Sequence, residues 1–235
     1  MKLTYDRPES PSIELLIDKG FYWAFIVDHV DKYQADVPLM DNWSRDASEQ
    51  LKISLDTDVL AWMAPLAHAS NKGATAGRKS AAFNMGVTGT PVLSTPTNIL
   101  DSIVDMGTVL DEQNCPEDGR FIVMPPLFIG MIKKSDIKDA SLTGDGSSVL
   151  RNGRVGMIDR FTLYSSNLLG TASDGGTCYL MPFGHKMATT FATQITETEN
   201  LKAESTFGDL IRGLLVYGRQ VVKSETLGQF YARKG

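Results

Sequence analysis

The clearest pattern along the chain is one long amphipathic helix. Between residues 38 and 66, apolar side chains recur at steps of three and four residues, which places them on one helical face. They are Met40, Trp43, Ala47, Leu51, Leu55, Val59, Trp62 and Leu66. Pro38 suits a first helical turn, and Pro65 marks the end. The pattern predicts about seven turns, or roughly 40 Å at 1.5 Å per residue.

The residues before this helix predict two strands joined by a turn. Residues 13–17 alternate apolar with other side chains, and Asp18, Lys19 and Gly20 provide a turn. Residues 21–27 are apolar on both faces, which is typical of a strand that is covered on both sides. Residues 1–12 are polar and contain two prolines, so we interpret them as an extended arm that leads into the first strand.

The remainder of the chain mixes helices with strands, which predicts an α+β fold. Asn98 can cap a second helix, and Asn152-Gly153 is a strong signal for a hairpin turn. The predicted helices lie near 98–113 and 127–134, and the predicted strands at 120–124, 148–151, 154–158, 161–165, 177–183, 187–196 and 209–223.

Three stretches of small and polar residues separate these elements, at 70–90, 141–148 and 170–176. Glycine and other helix-breaking residues favour either mobile segments or ordinary surface loops, and the sequence leaves both interpretations open. Residues 69–97, which include the first of these stretches, are also the best candidate for a connection between subdomains.

Composition and charge narrow the possible functions. The 235 residues are 42% hydrophobic and 22% charged, as in a soluble globular protein. No apolar run is long enough for a membrane span or a secretion signal, so we expect synthesis and folding in a cytoplasm. The net charge of −5 argues against a protein that grips duplex DNA, although a container around DNA is compatible with mild acidity.

Searches for chemistry predict no catalytic, cofactor-binding or metal-binding residue. Phosphate-binding glycine motifs and nucleophile elbows are missing, and the three histidines lie far apart in the sequence. Cys115 and Cys178 lack the spacing of a metal site, so we interpret them as packed thiols, with a disulfide between them left open. An active site assembled from distant residues also stays open.

Three blocks of sequence carry a resemblance to a known family. The blocks read LIDKGFYWAFIVDHVDKYQ at 16–34, VLDEQNCPEDGRFIVMPP at 109–126 and LRNGRVGMIDRFTLYSSN at 150–167. In order and spacing they resemble the major capsid proteins of tailed bacteriophages, whose Hong Kong 97-like fold is shared with encapsulins. Arg160 is a departure, because the family usually has glycine there. Family members also usually carry a further arm and part of an extended loop before the first block.

The resemblance implies a division into two domains. Residues 13–89 and 197–235 would form a peripheral domain built on the long spine helix, and residues 90–196 an axial domain. Residues 1–12 would be the end of the extended loop, with the N-terminal arm and part of that loop absent.

The resemblance also implies a function. The chain would assemble with itself, as pentamers and hexamers, into an icosahedral shell around double-stranded DNA that it does not bind sequence-specifically. Assembly would occur in the host cytoplasm, the product would be a virion, and scaffold, portal or decoration proteins would be partners. No cofactor, membrane or enzymatic activity is expected. The candidate subunit-interface residues are Asp6, Arg7, Glu9, Asn152, Gly153, Arg154, Asp174 and Gly175.

Three alternatives remain at this stage. An encapsulin-like nanocompartment would have the same fold around enclosed enzymes. An enzyme of the α/β hydrolase type would have an active site built from residues distant in sequence. A sugar- or protein-binding accessory module on a virion would be dispensable for head formation.

Overall fold

The computed structural model describes residues 12–34, 39–135, 156–203 and 206–235. Two sheets and four α-helices make up these parts of the chain. The helices are α1 (His29–Gln34), α2 (Leu39–Met63), α3 (Ile99–Glu112) and α4 (Pro126–Lys134). The strands are β1 (Lys19–Asp28), β2 (Val92–Ser94), β3 (Arg120–Met124), β4 (Met157–Ile158), β5 (Phe161–Ser165), β6 (Thr171–Ser173), β7 (Thr177–His185), β8 (Thr189–Lys202), β9 (Gly208–Val221) and β10 (Leu227–Lys234).

The smaller sheet is antiparallel, with the order β1-β9-β8. Helix α2 packs on one face of this sheet, where side chains at every second position of β1 point inward. Trp23 and Phe25 stack on each other, and Phe25 meets Trp43 of α2 edge to face, with ring centroids 5.8 Å apart. Because side chains alternate between the two faces of a strand, only every second residue of β1 contacts the long helix.

The larger sheet is mixed and has the order β2-β10-β7-β3-β5-β4, with β6 paired to β7. Two of its pairings, β2 with β10 and β3 with β5, are parallel. The main hydrophobic core lies on this sheet, where α3 contributes Ile103, Met106 and Leu110 and α4 contributes Phe128. This part of the chain holds most of the fully buried apolar side chains among the described residues, so burial there contributes most to the hydrophobic stabilisation.

Most predicted elements are confirmed. The long helix runs from Leu39 to Met63, the second helix from Ile99 to Glu112, and β3 covers the predicted 120–124. The predicted strands at 161–165 and 177–183 appear as β5 and β7. The predicted strand at 148–151 and the Asn152-Gly153 turn lie outside the described residues.

The predicted strand at 13–17 is wrong, because the only strand in this region begins at Lys19. The backbone at Leu16 crosses over β9 instead of pairing beside it. The carbonyl oxygen of Leu16 lies so close to Gly218 that a Cβ at residue 218 would be 2.3 Å from it. Gly218 lies inside the continuous strand β9, and its lack of a side chain leaves room for this crossing.

Strand β10 was not predicted. Phe230, Tyr231 and Ala232 are consecutive and all buried, so this strand lacks the alternation by which strands are found in a sequence. It comes from residues 197–235, which the resemblance assigns to the peripheral domain, and it pairs with β7 and β2 in the larger sheet. The proposed domain boundaries stay a prediction.

The glycine-rich stretch at 70–90 is folded onto the larger sheet. Ala76 and Met85 are fully buried members of the main core, and Ala76 forms a bridge with Phe83. The buried amide of Asn71 donates to the carbonyl oxygens of Glu225 and Leu227. These contacts favour a packed surface loop over a mobile connection.

Candidate assembly surface

A charged cluster fixes helix α2 to the smaller sheet. The Tyr217 hydroxyl donates to Asp58 Oδ2 at 2.5 Å, and Arg219 Nη1 lies 2.6 Å from the same oxygen. The Arg219 guanidinium also lies over the Trp62 ring, 4.8 Å from its centroid. Burial and the hydrogen bond to Asp58 raise the pKa of Tyr217 to about 12. These contacts set the position of the helix on the sheet.

A second charged cluster lies at the end of α3, in the second of the three sequence blocks. Arg120 is the largest fully buried side chain, and its Nη2 is 2.7 Å from Asp111 Oδ1. Three further N–H groups of Arg120 donate to the carbonyl oxygens of Pro116, Cys115 and Gly107. The buried charge is therefore both paired and hydrogen-bonded, as burial requires.

Arg160 completes this cluster from the other side. Its Nη2 lies 2.9 Å from Asp111 Oδ2, and its Nη1 lies 3.0 Å from Glu117 Oε1. Burial by itself would raise the pKa of Asp111, but the hydrogen bonds from Arg120 and Arg160 lower it below the usual value. One carboxylate thus joins the end of α3 to the turn between β4 and β5.

The same geometry explains the departure at Arg160. Asp159 and Arg160 have φ values of 44° and 67°, so the two residues of this turn are left-handed, a conformation in which glycine is favoured. A non-glycine residue there costs roughly 1–2 kcal/mol. The ion pairs with Asp111 and Glu117 offset that strain, which lets arginine occupy the position.

Only two of the interface candidates lie within the described residues. Asp174 and Gly175 form the turn between β6 and β7, where Asp174 Oδ2 accepts from the Gly89 amide at 2.5 Å. The Gly175 carbonyl accepts from Arg233, so this turn is held by its own subunit. Asp6, Arg7, Glu9, Asn152, Gly153 and Arg154 lie outside the described residues.

An open apolar face was missed as a candidate. One face of the smaller sheet packs on α2, whereas none of the residues that the structure describes covers the other. Tyr22 is 82% exposed on this face, Ile26 is 46% exposed and Leu214 is 40% exposed. The sequence did carry the signal, because residues 21–27 are apolar on both faces, the pattern of a strand covered on both sides.

The described residues give no indication of a bound metal ion or of a membrane-spanning helix. Among them no three metal-ligating side chains come together, and none of the described helices is long and apolar enough to cross a membrane. Cys115 and Cys178 are both buried and free, as expected for packed thiols.

Comparison with known structures identifies the fold. A chain of Mycobacterium phage Che8 matches with a TM-score of 0.75 at 23% identity, over 97% of this chain and 76% of that one. The capsid of Cyanophage P-SCSP1u matches with a TM-score of 0.66 at 16% identity, over 100% and 81%. The SrpI encapsulin of Synechococcus elongatus matches with a TM-score of 0.58 at 11% identity, over 90% and 72%. The class is therefore that of proteins with the α+β Hong Kong 97-like fold.

The sequence places the chain within this class. The family model described as "Phage capsid protein" matches residues 17–226, so the chain belongs to the phage capsid protein family. Membership implies self-assembly into a shell and a place in the virion. A search of the curated proteins found no match.

Proposed function

We propose that this chain is the major head protein of a tailed phage and closes, as pentamers and hexamers, into the icosahedral shell around the double-stranded DNA genome. The observation that carries the proposal is the family match over residues 17–226, most of the chain. Head-to-tail contacts between identical subunits close into rings when the rotation between neighbours permits, and two ring sizes can then build a closed shell.

The distribution of buried side chains supports a role in assembly. On α2 only Met63 is buried, although the helix has 25 residues. The main core lies on the larger sheet, and the described residues leave Tyr22, Ile26 and Leu214 exposed on one face of the smaller sheet. A layer that leaves this much apolar surface exposed gains stability when neighbours cover it.

A structural role without catalysis fits the same contacts. The carboxylates of Asp58 and Asp111 are both occupied by arginine side chains. Burial raises the pKa of the Cys115 thiol, which disfavours the reactive thiolate. These groups hold the fold together and are poorly suited to act as nucleophile or base.

The interface in this proposal uses the candidate residues in two ways. Asp6, Arg7 and Glu9 would lie across a neighbouring subunit, as would the turn at Asn152, Gly153 and Arg154. Asp174 and Gly175 would contribute a turn whose shape is fixed within the subunit before assembly. Scaffold, portal or decoration proteins would be further partners, with assembly in the host cytoplasm.

Expression of the full chain followed by electron microscopy tests the proposal. We expect closed icosahedral particles, and discrete monomers or dimers at all concentrations would contradict it. The encapsulin-like alternative is favoured by one observation, the fold similarity to an encapsulin. Particles recovered from the phage host would contain double-stranded DNA in the first case and enclosed protein in the second.

A further inference from the structure

Three connections carry the chain between the two layers of the subunit. The smaller layer consists of β1, α1, α2, β8 and β9, and the larger layer consists of the other strands with α3 and α4. The connections are residues 64–68 after α2, 186–188 between β7 and β8, and 222–226 between β9 and β10. Because hinges are a few residues that absorb a backbone change, any change in the angle between the layers falls on these short segments.

The three connections are bonded to one another at a single junction. The amides of Val222 and Lys223 both donate to the carbonyl oxygen of Ala188, at 2.8 and 3.2 Å. The His68 amide donates to the carbonyl oxygen of Ser224 at 3.1 Å. A small apolar cluster lies at the same place and is formed by Met63, Ala67, Ala188 and Leu227. The junction therefore combines backbone hydrogen bonds with a small apolar core.

Histidine side chains close two of the three connections in the same way. Nδ1 of His68 accepts from the Ser70 amide at 3.2 Å, and Nδ1 of His185 accepts from the Met187 amide at 3.1 Å. Each bond closes a turn over two residues, as asparagine side chains do in many loops. Nε2 of His185 donates to the Asp118 carbonyl oxygen at 2.6 Å, since a carbonyl oxygen only accepts. Both rings therefore keep a free electron pair on Nδ1 and are neutral.

A proton on Nδ1 would break these contacts, because the ring nitrogen would then donate and the amide facing it would lose its acceptor. His185 is buried and lies directly opposite Arg120 in the β3–β7 pair, where two like charges are unfavourable, although Arg120 is itself paired with Asp111. His68 faces a further donor, Nε2 of Gln113, at 3.5 Å. None of the charged side chains that the structure describes forms an ion pair with either ring. Those on the adjacent segments are Glu117, Asp118 and Lys186 beside His185, and Lys72, Lys223 and Glu225 beside His68.

We propose that the junction is an acid-sensitive hinge, in which protonation of His68 and His185 releases the two layers from their fixed orientation. Histidine is the side chain that ordinarily changes its charge between about pH 8 and about pH 5. The closed junction binds no proton on Nδ1, whereas an open junction binds it freely. Falling pH therefore favours the open junction, and rising pH restores the closed one. The inference goes beyond the proposed function and does not depend on it, because the whole junction lies within one subunit.

Distances between two spin labels test the hinge in the full chain. One label is attached through Ile53→Cys on α2 and the other through Val104→Cys on α3, which are exposed positions in the smaller and the larger layer. Both native cysteines are buried, so the labels react with the introduced thiols. Labelled chains are diluted into unlabelled ones, so that only distances within one subunit are measured. We expect a single narrow distance at about pH 8 and a second component at about pH 5, which disappears when the pH is raised again. An identical distance distribution at both pH values would overturn the proposal.

Asparagine variants assign the effect to the two rings. The side-chain oxygen of asparagine accepts from an amide two residues on, as Nδ1 does here, but it does not titrate. The His68→Asn/His185→Asn variant should therefore keep the narrow distance at both pH values. His29→Asn is the matched control, because His29 lies beside Asp209 in the smaller layer, away from the junction, and it should respond to acid as the unaltered chain does.

A second component of equal size in the double asparagine variant would contradict the hinge, as would its loss in His29→Asn. If the double variant does not fold, His68→Asn alone, at the less buried of the two rings, should reduce the second component, and an unreduced component would overturn the proposal. If the unaltered chain forms no shells, the proposed function fails, whereas the distances within the subunit still decide the hinge.

Discussion

The indole ring of Trp23 lies directly over Gly213, its cross-strand neighbour in the smaller sheet. A Cβ at residue 213 would stand 2.5 Å from Cε2 and Nε1 of the ring, closer than atoms of a side chain can approach. The glycine thus allows the ring to lie flat between β9 and helix α2.

Gly213→Ala should therefore displace Trp23 and destabilise the subunit by about 1–3 kcal/mol, the usual cost of overpacking. Chemical denaturation followed by tryptophan fluorescence measures the change. Gly130→Ala is the matched control, because a Cβ there meets nothing within 4 Å. Equal effects of the two substitutions would contradict the assigned contact.

The contacts of Asp58 on helix α2 with Tyr217 and Arg219 on β9 should stabilise the folded subunit. Tyr217→Phe removes one hydrogen bond to a charged group and should cost about 1.5–3 kcal/mol. Asp58→Asn should cost at least as much, since it also leaves Arg219 without its ion-pair partner. In a double-mutant cycle the losses should fall short of additive, whereas strict additivity would argue against the contact.

The alkaline limit of stability should depend on Tyr217. Its pKa is raised to about 12, above the value of about 10 expected in the unfolded chain. The folded state therefore holds this proton more tightly, so the stabilisation is full below about pH 10 and is lost as the pH rises through about 12. Denaturation across that interval should show a smaller loss for Tyr217→Phe. Burial also raises the pKa of Tyr231 to about 12, so Tyr231→Phe is the parallel measurement that separates the two contributions.

The two arginines at Asp111 should differ in what they contribute. Arg120→Lys loses donors to three carbonyl oxygens, two of them in buried hydrogen bonds, and should cost about 3–5 kcal/mol. Arg160→Lys alters a partly exposed ion pair and should cost about 0–1 kcal/mol. Urea denaturation of both variants measures the difference, and a larger loss at Arg160 would contradict the assignment.

The sequence predicted the elements whose side chains repeat regularly. Helix α2 followed from apolar residues such as Leu51 and Leu55 at helical spacing, because one helical face is enough to signal burial. The strand predicted at 13–17 was wrong because a regular pattern is present there without the pairing that would make a strand. Ile13, Leu15 and Ile17 alternate with other side chains as in a strand, but Ile13 is exposed, and no local pattern reveals that Leu16 crosses β9 at Gly218.

The candidate surface was harder to predict than the fold. Residues 21–27 indicated a strand with two covered faces. The structure shows that α2 covers one face and that Tyr22 is exposed on the other. Likewise, the spacing of Asp111, Arg120 and Arg160 gives no sign that one carboxylate binds both arginines. Contacts between residues so far apart along a chain depend on the tertiary fold, which periodicity does not encode.

The position of β10 between β2 and β7 has a consequence for the order of events in the cell. Strand β2 ends at Ser94, and its partner β10 spans Leu227–Lys234. The ribosome must therefore synthesise more than a hundred intervening residues before these two strands can pair. Contacts this distant in sequence form slowly. A nascent chain therefore cannot finish the larger sheet until β10 has been synthesised, and contact between completely folded copies must wait until then.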